Sequence, residues 1–249
     1  MKLTLEMIIK WLKDSGLKVN DAKTDICLFY KADTLPIQIE INGCVIRSNQ
    51  TINVLGVIFD SKMQWGPQVE NVIKKSNKAK HAILLIRKYF TKYELAALLT
   101  SNFYSILYYN SDVWLIPSLK PQLKQQLLSA SAKALRICTN NYDNMMSFDQ
   151  IHAINKRATP NQILKYKHSL LLYKIWNDSI YSQEWLALNF QQNFNARTHT
   201  VMIYDTSKTK IGKNKPINRL KIINGLIQYD WLNLNLNSYK IKCKQMFIM

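Results

Sequence analysis

The amino-acid sequence predicts an α+β protein in which a small antiparallel β region precedes a mostly α-helical remainder. Residues 1–65 hold short apolar segments with strand-like alternation, whereas beyond Trp65 the apolar residues recur near every 3.6 positions. The chain of 249 residues is 47% hydrophobic and 20% charged, which suits a folded core and excludes a disordered or collagen-like chain. We therefore predict three segments: 1–65, 66–180 and a weakly defined 181–249.

The N-terminal residues predict an amphipathic helix. Its apolar face is formed by Leu5, Ile8, Ile9 and Leu12. Gly16 follows at the place where a left-handed residue commonly ends a helix, so the helix is expected to end near Ser15.

Strand-like segments come next. Residues 25–30 are short and apolar, and 37–41 and 44–47 flank Asn42-Gly43, a dipeptide that strongly favours a two-residue hairpin turn. Residues 52–60 predict one further strand. Gly56 stands in its middle, as a bulge or a point of close backbone approach.

Helical periodicity begins at Gly66-Pro67, with Pro67 in the first turn of a helix of roughly 22 residues. Further helices are predicted at Lys92–Tyr109, Pro121–Cys138, Phe148–Asn155 and Pro160–Asn177. Segment 191–216 is polar and predicts no element, and 217–249 is expected to be partly helical.

The chain is strongly basic, because 34 Lys+Arg oppose 16 Asp+Glu and give a formal net charge of +18. Such an excess predicts a polyanionic partner. A second interpretation stays open. Of these bases 28 are lysine, and a solvated Lys-rich surface or a bias from AT-rich codons produces the same composition.

Missing motifs exclude several classes of function. The sequence has no Gly-rich phosphate loop, no G-x-S-x-G, no H-E-x-x-H and no adjacent carboxylate pair of the kind that holds two Mg²⁺ ions. The four cysteines lack metal-ligand spacing and predict buried free thiols in a reducing, intracellular compartment. No apolar run predicts a membrane span, and the N-terminus lacks the pattern of a signal peptide.

Two sequence blocks carry a family resemblance. Residues 11–25, WLKDSGLKVNDAKTD, lead into an apolar strand ending in Phe29, and residues 54–60, VLGVIFD, follow after the Asn-Gly hairpin. Their order and spacing resemble the late palm of reverse transcriptases from non-LTR (LINE-type) retrotransposons. The stretch from Phe103 to Trp114 is similar to a segment behind that polymerase core, so the resemblance covers about residues 5–115.

The resemblance implies a right-hand polymerase fold that copies RNA into DNA, with Mg²⁺ held by palm aspartates. The family's Tyr/Phe-Ala-Asp-Asp signature belongs upstream of Trp11 and is not found there. We therefore expect a C-terminal fragment of an RNA-directed DNA polymerase, with the end of the palm in 1–65 and a thumb-like region in 66–180. By itself it is expected to bind no cofactor and to be inactive without the missing upstream polymerase segments. The alternatives are a non-catalytic nucleic-acid-binding remnant and a non-functional retroelement relic.

The same resemblance assigns roles in the palm region. Lys23 matches a lysine that lies near the incoming nucleotide and protonates the leaving pyrophosphate, a task that suits a general acid. Leu55 and Gly56 match the primer grip of the family. A glycine at this place has no side chain and lets the primer 3′ end come close to the backbone. The alternatives are a solvated lysine in a turn and a β-bulge without a ligand.

Lysines on the helix after Pro67 predict contacts to nucleic-acid phosphates. At 100° per residue, Lys74, Lys78 and Lys88 fall near one side, and Lys75 adjoins them. Residues 61–100 carry eight bases and two acids. This pattern suits a helix that lies along an RNA–DNA template–primer duplex, although a solvated basic face stays open. The aromatic residues between 103 and 114 have helical spacing and predict core packing.

Overall fold

The computed structural model describes residues 2–29, 37–41, 43–139, 145–177, 190–193, 200–203, 220–223, 226–227 and 229–248. It is a mixed α+β structure in which helices predominate, as the sequence predicts. The chain forms two compact units, Met1–Gln68 and Val69–Met249. Much of the weakly defined segment 181–249 lies outside the described residues.

Helix α1 (Lys2–Asp14) opens the first unit and ends one residue before the predicted Ser15, with Gly16 in the left-handed conformation after it. Gly16 has a φ of +72°, its amide donates to the carbonyl of Lys13 (3.0 Å), and the amide of Leu17 donates to that of Leu12 (2.8 Å). This is the Schellman arrangement, which satisfies carbonyls that the last helical turn leaves open. The apolar face is only partly covered, since Ile8 is 49% exposed.

A three-stranded sheet follows, with strand order β1-β3-β2. Its strands are β1 (Ile26–Cys27), β2 (Gln38–Ile41) and β3 (Cys44–Asn49). β2 and β3 form the predicted antiparallel hairpin, in which Ile41 pairs with Cys44 and Gly43 has a φ of +81°. β1 runs parallel to β3 and is shorter than the predicted strand 25–30, whose last residue lies outside the described residues.

The prediction of one strand over 52–60 is wrong. The segment is a hairpin of β4 (Thr51–Val54) and β5 (Val57–Asp60), and Leu55 and Gly56 form its turn. Their φ angles are +50° and +82°. Two successive positive φ values are typical of a type I′ turn, which reverses the chain between twisted strands. Gly56 is therefore a turn residue and not a bulge within a strand.

Helices build most of the second unit. After α2 (Gly66–Ile86) come a 3₁₀ turn (Arg87–Tyr89), α3 (Lys92–Leu98), a π-helical segment (Leu99–Tyr104), α4 (Ser105–Leu107), α5 (Ser111–Trp114), α6 (Pro121–Thr139), α7 (Phe148–Ile154) and α8 (Pro160–Trp176). Capping boxes at Thr91, Ser147 and Thr159 start α3, α7 and α8, because each side chain accepts an amide that the first turn leaves open. The predicted helix 92–109 is thus confirmed up to Leu107, with a π-helical interruption.

The C-terminal part adds a two-stranded ladder, two 3₁₀ turns and a helix. These are β6 (Phe190–Asn193), β7 (Thr200–Ile203), Leu220–Ile223, Tyr229–Asn233 and α9 (Leu236–Phe247). The strands correct the prediction that 191–216 holds no element. Backbone pairing makes the ladder, and β6 (Phe-Gln-Gln-Asn) lacks the apolar alternation from which strands are predicted.

The core of the second unit is apolar and aromatic. Phe103, Trp114 and Leu127 are fully buried, which confirms the predicted packing role of the 103–114 aromatics, while Tyr109 is 48% exposed. A second cluster joins α8 and α9, where the hydroxyl of Tyr239 donates to the carbonyl of Ser169 (2.7 Å).

The four cysteines are free thiols. Cys138 and Cys243 are buried as predicted, Cys27 is half-buried, and Cys44 is exposed at the hairpin end of β3, which corrects the expectation for that residue. Across the described residues, no helix is both long and apolar enough to cross a bilayer.

Candidate nucleic-acid interface

A group of exposed lysines lies on α2 and is called here the basic face: Lys74, Lys75 and Lys78. The buried side of the same helix is formed by Val69, Val72, Ser76 and Ile83. One helical turn separates Lys74 from Lys78, a rise of about 6 Å along the axis. No described carboxylate lies within ion-pair distance of these three ammonium groups. The basic face is therefore able to contact phosphates.

Lys88 does not belong to this face. It lies beyond the end of α2 in the 3₁₀ turn Arg87–Tyr89, so the rotation of 100° per residue does not extend to it. Its Nζ lies 4.9 Å from the centroid of the Tyr89 ring, within the range of a cation–π contact. The structure thus places Lys88 beside an aromatic residue and not in line with Lys74 and Lys78.

Lys23 is exposed at the end of the 3₁₀ turn Asp21–Lys23, immediately before β1. The carbonyl of Asn20 accepts the Lys23 amide (3.1 Å) and the Thr24 hydroxyl (2.8 Å), which orders this turn. A cavity of about 720 Å³ lies between residues 18–22 and β3. Lys23 is not among the described residues that line it.

Leu55 and Gly56 form the exposed tip of the β4–β5 hairpin, and the Leu55 side chain is 85% exposed. An exposed tip with a glycine at its second position leaves backbone open to a ligand. Lys23 and this tip belong to the first unit, whereas Lys74, Lys75, Lys78 and Lys88 belong to the second.

Asp60 stabilises the loop that follows this hairpin. The sequence alone predicts no role for this residue. Asp60 is 9% exposed. Its Oδ1 accepts the amides of Lys62 (3.2 Å) and Gln64 (2.9 Å), and its Oδ2 accepts the amide of Trp65 (2.6 Å). An aspartate followed by a turn is the only sequence signal for such a carboxylate–amide cluster.

A second contact ties the start of α2 to β5. The Oε1 of Gln68, a fully buried residue, accepts the amide of Ile58 at 2.9 Å. The ring of Trp65 packs on that of Phe59, with centroids 5.2 Å apart. Together with Asp60 these contacts hold the first turn of α2 against the hairpin strand.

The second unit contains a larger cavity of about 1140 Å³ between the α7–α8 connection, the π-helical segment and α9. Lys156, Arg157 and Lys244 line it, together with the carboxylate of Asp149. His152 also lines it, is 1% exposed, and has its Nδ1 3.2 Å from the Arg157 carbonyl oxygen. Burial lowers the pKa of His152, although backbone hydrogen bonds and the Asp149 charge act in the opposite direction.

Within the described residues, no three His, Cys, Asp or Glu side chains come together as possible metal ligands. The described residues therefore do not fit the Mg²⁺ ions that the resemblance implies. No family model, curated protein or solved structure matches this chain. The interface consequently rests on the geometry and charge of the basic face and the hairpin tip.

Proposed function

We propose that this chain is part of an RNA-directed DNA polymerase of the non-LTR retrotransposon type and that it holds the template–primer duplex. The observation that carries the proposal is the basic face: Lys74 and Lys78 lie opposite the buried side of a long helix, and the exposed Lys75 lies at the flank. Such a helix can follow a duplex backbone and contact phosphates without reading base sequence.

The hairpin tip at Leu55 and Gly56 is proposed to act as the primer grip. The turn exposes its backbone, and the glycine has no side chain to hinder the approach of a primer end. Asp60 and Gln68 stabilise the strand that carries this tip. The role is to position the primer.

Lys23 is proposed to donate a proton to the leaving pyrophosphate once an active site with metal-binding aspartates is assembled around it. Its exposed position on an ordered turn leaves the ammonium group accessible to a phosphate. General acid assistance is worth typically about 10²- to 10⁴-fold in rate. By itself the chain is expected to extend no primer.

Salt-dependent binding tests the role of the basic face. The full chain should bind an RNA–DNA duplex with little sequence preference, and log K against log salt should have a slope of about −3 to −5. Reversing Lys74, Lys75 and Lys78 to glutamate should weaken binding to all sequences alike and reduce the slope by about 2 to 3. Fluorescence anisotropy with a labelled duplex measures both quantities.

A matched control separates a local contact from net charge. Lys10, Lys120 and Lys240 are exposed on other parts of the chain, so their reversal changes the net charge equally. We expect the slope of log K against log salt in this control variant to stay close to that of the wild-type chain. If the two triple variants weaken duplex binding equally, or if the α2 variant does not weaken it, the basic face does not contact the duplex and is only a solvated surface.

Complementation tests the polymerase part of the proposal. The chain is combined with the upstream palm and fingers of a non-LTR reverse transcriptase, and primer extension is measured for wild type, Lys23→Ala and Lys23→Arg. Activity should fall by about 10²- to 10⁴-fold for alanine, with little rescue by arginine, which keeps the charge but does not give up its proton. Duplex binding without any restored extension would favour the non-catalytic nucleic-acid-binding remnant.

A further inference from the structure

Three aromatic side chains project into solvent where α2 gives way to α3. Tyr89 is 74% exposed, Phe90 40% and Tyr93 87%. Three large exposed aromatic residues within five positions indicate a candidate interaction surface. We call Tyr89, Phe90 and Tyr93 the aromatic corner.

Basic residues alternate with the aromatic residues of the corner along the chain. Arg87, Lys88 and Lys92 lie within the same seven-residue stretch, 87–93, and the Nζ of Lys88 stands 4.9 Å from the Tyr89 ring centroid. The carboxylate of Glu94, which follows in the sequence, accepts the Thr91 amide (2.7 Å) and hydroxyl (2.8 Å). These hydrogen bonds lower the pKa of Glu94, but its charge is directed at the helix start. The corner therefore combines exposed rings with net positive charge.

The backbone of the corner is well defined. Phe90 is extended (φ −124°, ψ 144°) between the 3₁₀ turn and the N-cap Thr91, whose capping box with Glu94 starts α3. A surface held in one backbone conformation before binding loses less conformational entropy when a ligand stacks on it.

We infer that the aromatic corner binds unpaired nucleotides, whose bases stack on Tyr89 and Tyr93 while Arg87, Lys88 and Lys92 attract the phosphates. This inference rests on the proposed nucleic-acid-binding function and names its second substrate, a single strand. Aromatic rings beside cations are the combination by which proteins bind single strands without sequence preference. The basic face contacts duplex phosphates and lacks such rings.

The position of the corner fits a duplex that continues into a single strand. Lys78 and the end of α2 at Ile86 are separated by about 12 Å along the helix axis. An unpaired template segment of a few nucleotides can span this distance from a duplex on the basic face. The corner therefore lies within reach of a single strand that continues from a duplex on the basic face.

The test compares two ligands, a labelled single-stranded oligonucleotide and a labelled RNA–DNA duplex, by fluorescence anisotropy with the full chain. The double variant Tyr89→Ala/Tyr93→Ala should bind the single strand at least about 5-fold more weakly, within the roughly 5- to 150-fold expected for each stacked base. Its duplex affinity should stay near that of wild type. Phenylalanine at both positions should restore single-strand binding, because it keeps the ring and removes only the hydroxyl.

Tyr109→Ala serves as the control, because Tyr109 is an exposed tyrosine outside the corner. Circular dichroism and thermal midpoints show whether each variant is folded. Single-strand affinity that is unchanged in the double alanine variant, or equally weak in the phenylalanine variant, overturns the inference. Duplex binding without single-strand binding by the wild-type chain overturns it but leaves the proposed function standing, whereas binding to neither ligand removes both.

Discussion

Replacing Asp60 by alanine is expected to lower the free energy of unfolding by about 3–5 kcal/mol. The carboxylate accepts the amides of Lys62, Gln64 and Trp65, and a hydrogen bond to a charged group contributes roughly 1.5–3 kcal/mol. The three bonds share one carboxylate and are not additive. Two of the amides can return to water, whereas the amide of Trp65 stays in a buried position and loses its partner.

The loss also releases backbone strain. Met63 and Trp65 have φ angles of +51° and +66°, a left-handed conformation that costs a residue with a side chain about 1–2 kcal/mol. The carboxylate of Asp60 holds the loop in this conformation. Relief of this strain offsets part of the loss, so the expected change stays below the sum of three such hydrogen bonds.

Urea unfolding followed by tryptophan fluorescence measures the change. Asp60→Asn keeps a carbonyl acceptor and should lie between alanine and wild type. Asp25→Ala removes an exposed aspartate with one hydrogen bond, to the side chain of Asn49, and should cost no more than about 1 kcal/mol. The reasoning fails if Asp60→Ala is no more destabilising than Asp25→Ala.

Further perturbations address the turn, the core and the buried histidine. Leu55→Asn should raise the thermal midpoint, because asparagine tolerates the left-handed conformation at the hairpin tip and leucine does not; a lowered midpoint contradicts the type I′ assignment. Leu127→Ala should cost about 2–5 kcal/mol by leaving a cavity, measured by urea unfolding, while the exposed Ile154→Ala should cost far less. In an NMR titration His152, whose pKa burial lowers, should protonate below the ordinary imidazole value of about 6.5. Stability should therefore fall as pH decreases through about 6.5, where the unfolded chain takes up that proton first; a His152 titration at or above this value would refute this.

Local patterns predicted the elements whose signals lie within a few residues. The stop at Gly16, the Asn-Gly hairpin and Pro67 at the start of α2 are each confirmed, because a left-handed glycine, a two-residue turn and a first-turn proline act through adjacent backbone. The packing of Phe103 and Trp114 followed from helical periodicity in the same way.

The errors arose where a pattern admits two chain paths. An apolar segment with a central glycine is compatible with a single bulged strand or with a tight hairpin. The structure has a hairpin, because Val54 pairs with Val57. Likewise, Lys88 falls in line with Lys74 only while the helix continues, and α2 ends at Ile86. Tertiary contacts decide whether an apolar segment folds back into a hairpin and where a helix ends. The spacing of apolar residues in the sequence carries no information about these contacts.

By itself, the sequence determined the α+β class, the main helices and the clustering of lysines on α2, since these follow from composition and residue spacing. Only the tertiary structure decided that Asp60 binds three amides, that His152 is buried beside a cationic cavity and that Tyr89 and Tyr93 stay exposed. Burial and hydrogen-bond partners depend on which distant segments pack together. An isolated aspartate, histidine or tyrosine has the same local sequence signal whether it is covered or open to solvent.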